Sequence, residues 1–280
     1  MSKKLTIRES FNLGKGWNLM LFAILSMLVT NAGVNDGLNI ALPAIADGAG
    51  LDYELCLSMG TVAGFVGVAM MFVIAKFRDR FGGRKVSAVL FIIFGLTFYF
   101  LFLRATNIFM YGLSQCIMVS CGQGCFYLCT GPMQSDWFPK KRGVVNGIST
   151  IGANIGTAIL APIMTTLLTM AEYKTSLSVF AVAAVILGIF AYLALRDDPM
   201  EAGMYPDNVS KETYEAEYKD FFKKEEYISD WTVSKMLKCK EVWLAAWYRA
   251  LLHWDFLGLS HNLFRETFLL AYLRRLPFQP

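Results

Sequence analysis

The sequence is short of almost everything that a soluble enzyme uses. Its two histidines, His253 and His261, both lie close to the C-terminal end, and no nucleophile–base set accompanies them. No GxxxxGK[ST] stretch occurs, so no phosphate loop cradles a nucleotide and any driving energy must come from a gradient. The six cysteines form no CxxC pair, and five lie in or beside apolar stretches, which argues against a disulfide framework. A net charge of +4, spread over separate loops, is too weak for a nucleic-acid partner. The period-two alternation of a membrane β-barrel is missing as well. No catalytic role and no cofactor is therefore expected.

What is present is apolar and unevenly placed. Hydrophobic residues make up 55% of the chain, and uncharged stretches near the roughly 20 residues that a bilayer core requires recur from Trp17 to Leu195. Six spans follow: 17–46, 57–75, 86–103, 108–131, 143–171 and 175–195. Backbone amides in lipid must be satisfied within their own segment, so the spans are helices. The first is too long for a signal-peptide core of about 7–15 residues and stays in the chain. A kink is expected in it near Pro43.

Lysine and arginine alternate from loop to loop. Lys3, Lys4, Arg8 and Lys15 precede the first span, and Lys76, Arg78, Arg80, Arg84 and Lys85 follow the second. Lys140, Lys141 and Arg142 follow the fourth. The intervening loops hold only Arg104 and Lys174. By the positive-inside rule the N-terminus is cytoplasmic, in a cell membrane crossed several times.

The organisation expected is a cytoplasmic segment 1–16, a bundle 17–195, a cytoplasmic linker 196–240 and an atypical or truncated segment 241–280. The linker reads equally as a solvated connector or as helix from about Lys211, where Glu215 and Lys219 stand four apart. Past Ala246 the charges Arg249, Asp255, Arg265 and Glu266 argue against an ordinary seventh span, at roughly 2.5–3.5 kcal/mol each.

Polar residues gather in the first span of each triplet. Asn31, Asn35 and Asn39 share one helical stripe beside Asp36, and Gln115 and Gln123 lie in the fourth span. With Asn154 of the fifth they are the candidates for a substrate path, since intramembrane polar groups face the bundle interior or a wet cavity. For Asp36 the alternative is hydration at the outer interface; for the amides it is bonding between helices. The third and sixth spans carry almost no hydrogen-bonding side chains and are expected to face lipid. Gly33/Gly37, Gly60/Gly64 and Gly152/Gly156 read as close-packing pairs. Cys121, Cys125 and Cys129 form a stripe that reads as small buried filler rather than a metal site.

The segment Ala75-Lys76-Phe77-Arg78-Asp79-Arg80-Phe81-Gly82-Gly83-Arg84 resembles the major facilitator superfamily signature G-x-L-x-D-R-x-G-R-R. Asp79, Arg80, Gly82 and Arg84 match, while Ala75 and Gly83 depart from it. Asp79 is placed to meet a helix N-terminus or a basic partner. Residues 136–143 and 199–207 resemble the oxalate/formate and monocarboxylate-type branch. The resemblance implies an all-α integral membrane fold: the six-helix N-terminal bundle of the major facilitator type, built of two three-helix inverted repeats. It also implies secondary transport of a small organic solute, a carboxylate by branch, through alternating access.

The implied partners are membrane lipid, that solute or anion, and a second six-helix unit from another copy or a missing C-terminal half. Two other readings are a truncated, inactive half and a multi-pass membrane enzyme or sensor.

Overall fold

The computed structural model describes residues 11–217, 235 and 238–254, in two units, Met1–Lys219 and Asp220–Pro280. Expectations about residues 1–10, 218–234 and the charged tail from Asp255 onward, with His261, Arg265 and Glu266, fall outside the described residues.

In the first unit the opening apolar stretch makes two helices, α1 (Trp17–Val34) and α2 (Asp36–Ala49), joined at Asn35 with φ −111° and ψ −114°. The break is not at Pro43, which lies inside α2. Gly33, Asn35, Asp36 and Gly37 crowd poor helix formers into five positions, and that local weakness decides where the rod opens.

The second span is α3 (Tyr53–Phe81), whose N-cap Asp52 accepts the Leu55 N–H at 2.8 Å. Only Gly82 separates it from α4 (Gly83–Thr97), which continues in π-helical form through Phe98–Phe102. The fourth span is α5 (Ile108–Gly124), a π segment Cys125–Thr130 and α6 (Gly131–Trp137). Pro132 explains the π segment: it lacks an N–H and would clash with the carbonyl four residues back, so the ladder widens before it. The fifth and sixth spans are α7 (Arg142–Met170) and α8 (Tyr173–Ala194). A short helix, α9 (Lys211–Glu217), comes later in this unit. The second unit contains α10 (Lys240–Trp254).

Among the described residues four helical runs qualify as membrane crossings by length and composition: Gly14–Ala49, Tyr53–Phe81, Gly83–Phe102 and Tyr173–Ala194. The fourth rod is as long but more polar, carrying Gln115, Gln123 and Gln134, the feature that makes it a candidate for a path. In the fifth, where the side chains of 152, 153 and 155–157 lie outside the description, the apolar run is Ala158–Met170.

The pairing of rods reveals the symmetry. The fourth span packs on the second as the first packs on the fifth; the third and sixth pack on each other. Third with fourth is matched by sixth with first. Exchanging the two triplets therefore maps every pairing onto another. This is a bundle of two three-helix inverted repeats.

Small residues make the central seam. A Cβ on Gly95 would lie 2.7 Å from the Ala181 carbonyl oxygen, and one on Gly188 would lie 2.9 Å from that of Ala88. Lipid offers no hydrophobic drive between helices, so this close backbone approach and its van der Waals contact hold the third and sixth together. Behind the seam Phe91, Phe94, Phe98, Phe102 and Tyr111 form a buried ladder with successive ring centroids 5.2–6.1 Å apart.

Two expectations change here. The third and sixth spans lack polar groups partly because each is the other's apolar partner, and only their outer faces, such as Val89 and Ile186, are exposed. The most exposed rod is the second, which touches the fourth through Cys56, Ala63, Gly67 and Ile74 and leaves Phe65, Val68 and Phe72 open. Gly60 and Gly64 lie on that open side with nothing within reach of an added Cβ, so this glycine pair packs no helix of the bundle. Gly33 does pack, against Met118, Phe94 and Phe98, while the surroundings of Gly152 and Gly156 are outside the description.

Candidate functional site

Two sets of residues need placing: the polar groups of the rods, and the signature at one end of the bundle. The first set lies near mid-height. Gly16 packs on Phe138 at one end of the first span and Gly48 on Tyr173 at the other, so Asn31 to Asp36 fall about halfway between. Asp36 thus lies along the middle of the bundle rather than at one of its ends. It opens the first turn of α2 and is exposed from the bundle, as is Asn39 one turn further on.

Asn35 donates from Nδ2 to Asn31 Oδ1 at 2.8 Å, closing the stripe across the helix break. The fourth span crosses immediately beside it: a Cβ on Gly122 would lie 2.6 Å from the Thr30 side chain. Gln123 is half-buried next to that crossing. Two turns further out, Gln115 is 1% exposed and its Nε2 finds no acceptor of hydrogen-bonding geometry. Tyr111 is close enough to interact with it, but not in that geometry. A buried amide donor without an acceptor carries a desolvation cost of about 1–3 kcal/mol. The structure therefore brings Asn31, Asn35 and Gln123 to one crossing, with Gln115 two turns along the fourth span and Asp36 and Asn39 on the neighbouring open face. Asn154 is exposed on α7.

The signature is helix rather than loop. Residues 75–81 form the last turns of α3, and the chain reverses at Gly82 alone, with φ +87° and ψ 155°. A side chain there would be strained, and its Cβ would come within 2.5 Å of Asp197 Oδ2. Asp79 takes the basic partner: its Oδ1 is 3.3 Å from Arg78 Nη1. The helix N-terminus goes to a residue that sequence reasoning missed. Asp197 Oδ1 accepts the Arg84 N–H at 2.7 Å, in the first turn of α4. Arg84 reaches back to the sixth span, donating from Nε to the Tyr192 carbonyl at 2.9 Å and lying over the Tyr192 ring. Arg80 stacks on Phe81.

Asp207 was missed too. It is 1% exposed, sits at φ +57°, and its carboxylate accepts the N–H groups of Lys140 and Lys141 at 2.9 and 3.1 Å. Lys141, itself 5% exposed, donates from Nζ to the Asn12 and Asp207 carbonyls. Lys15 donates to the Ala202 carbonyl at 2.7 Å. Residues 196–208 are therefore a strap tied across the bundle's end. A signal was available: Asp207 ends the stretch 199–207 that carried the branch resemblance. Acidic and amide side chains also tolerate the left-handed backbone that Asp207 and Asn208 adopt.

The Cys121, Cys125 and Cys129 thiols are free and buried. Gln134 and Ser149 form a further buried pair, 2.9 Å apart, between the fourth and fifth spans.

A model of the Major Facilitator Superfamily matches residues 19–270 of the chain. An uncharacterized MFS-type transporter, YhjX, of Escherichia coli (strain K12) is 25% identical over 162 residues, which is 58% of this chain and 40% of that protein. The chain thus matches well under half the length of that curated relative. No solved structure matches it.

Proposed function

The chain belongs to the major facilitator superfamily, and from that premise we propose that it carries a small organic acid across a cell membrane by alternating access. The observation that supports this best is the broken first span. It sets the Asn31–Asn35 pair at mid-height beside the fourth span, and Gln115 Nε2 nearby lacks an acceptor that a carboxylate oxygen could supply. Discontinuous helices near the midplane are where secondary transporters hold polar solutes. Asp36, Asn39, Gln123 and Asn154 complete the proposed path. Cationic groups that would pair the acid are assigned to a second six-helix unit, a second copy of the chain or a C-terminal half.

The open side of α3, with Gly60 and Gly64, is the surface assigned to that unit. The basic end is assigned to the cytoplasm, because the N-terminal segment, the signature and the strap all meet there. Asp79, Arg80, Gly82 and Arg84 then brace the cytoplasmic turn between the second and third spans.

Uptake of labelled short carboxylates into vesicles tests the reading. Vesicles holding only this chain should accumulate label above empty ones if two copies suffice. If they do not, supplying a C-terminal half should restore uptake. Asn35→Ala and Gln115→Ala should each lower the rate at least about ten-fold, the equivalent of 1.4 kcal/mol. Unchanged uptake in both would remove the polar path. Gly60→Leu with Gly64→Leu should leave the bundle folded and abolish association with the second unit. Labelling that found Arg84 reachable from outside would reverse the orientation.

A further inference from the structure

A cleft of about 660 Å³ opens on the outside of the bundle between the second, third and fourth spans. Val66, Met70 and Phe77 form one wall, Val89 and Ile93 the other, and Ile117 the floor. The wall offers a polar solute nothing. Its one hydroxyl, Ser120, donates to the Cys116 carbonyl of its own helix at 2.6 Å. Hydrocarbon is what such a surface accepts.

The ends of the cleft differ. On the second span it runs from Val66 to Phe81, about 22 Å at 1.5 Å per residue. That is one leaflet of a bilayer about 40–45 Å thick with its headgroups. A partner helix would need a groove along the whole of α3, whereas this one occupies only the half beside Gly82. At that same end Lys85 lines the cleft. Lys76 and Arg80 line a smaller hollow of about 390 Å³ that shares Val73 and Phe77 with it. All three cations are exposed, and no ion pair involving Lys76 or Lys85 occurs among the described residues.

We propose that this cleft holds one anionic phospholipid of the leaflet next to the signature. An acyl chain lies along Val66, Met70, Ile93 and Ile117, and the phosphate sits among Lys85, Lys76 and Arg80. Lipid so placed fills the gap between the second and third spans, which touch each other far less than the second and fourth do. The inference rests on the chain lying in a membrane, not on which solute it carries.

The purified full-length chain in detergent, titrated with phosphatidylglycerol or phosphatidylcholine of matched chains and read by native mass spectrometry, tests it without any transport assay. Phosphatidylglycerol should bind at least five-fold more tightly, since one basic residue near a membrane surface contributes about that factor. Lys85→Gln should cut phosphatidylglycerol binding about five-fold and phosphatidylcholine binding less, because choline offsets the phosphate that both lipids carry. Val89→Trp should fill the cleft and weaken both lipids; Ile93→Phe is the milder filler should the tryptophan variant misfold. Equal affinity for the two lipids overturns the proposal, as do folded fillers that leave lipid binding unchanged. It also fails if the fillers convert a dimer to monomer while lipid binding persists, because protein then covers the cleft.

Discussion

The two ends of the bundle are held together in different ways. At the basic end, bonds join segments far apart in sequence: Lys141 to Asn12, Lys15 to Ala202, Arg84 to Asp197 and Tyr192, and Trp137 Nε1 to the Arg196 carbonyl. At the other end the chain mostly caps its own helices. Asp52 takes the Leu55 N–H, Asn107 takes the Met110 N–H, both at 2.8 Å, and Ser176 donates to the Leu167 carbonyl. A local cap costs little ordering entropy, because its partners are already neighbours. A bond that closes a long loop must offset more, and here most are charge-assisted, with Lys141 and Asp207 buried. The basic end is therefore a cooperative clasp, and the opposite end is a set of independent turns.

The largest effect should come from opening the clasp. Asp207→Ala deprives two backbone N–H groups of a carboxylate at once and should lower the unfolding free energy by about 3 kcal/mol, at 1.5–3 kcal/mol per bond to a charged group. Thermal unfolding in detergent checks this, and a loss under 1 kcal/mol would mean that the strap is ornamental. Next comes Gly82→Ala, which combines a positive φ with a collision against Asp197 and should cost about 1–3 kcal/mol. Combined with Asp197→Ala the loss should be less than additive, because the shortened side chain vacates the space that the new Cβ needs. Asn107→Ala and Asp52→Ala should each cost about 1 kcal/mol. Their effects should add when combined, since the caps are independent. If they prove strongly coupled, or if Asp207→Ala and Lys15→Met prove additive, the contrast between the ends collapses.

Much of the architecture was legible from residue order. The lengths of uncharged runs and the spacing of Lys and Arg announced helical rods, and the signature pointed to the family. The helix break was misplaced because proline is the louder signal. Pro43 sits within α2, whereas four weak formers around Asn35 summed to the larger effect. The glycine pairs read alike, yet Gly33 is packed and Gly60 and Gly64 face outward. Spacing tells which residues share a stripe but not which stripe finds a partner. Asp197 and Asp207 were passed over because a carboxylate in a charged linker looks solvated until the fold brings backbone N–H groups to it.

The order of residues by itself determined that this chain forms apolar helices with its cations kept between alternate ones, because lipid forces every span to satisfy its own backbone and penalises charge within it. Which helix packs on which, which carboxylates are buried, and where an unfilled cleft remains were decided only in three dimensions. Those outcomes depend on surfaces meeting, and no single segment encodes its neighbour.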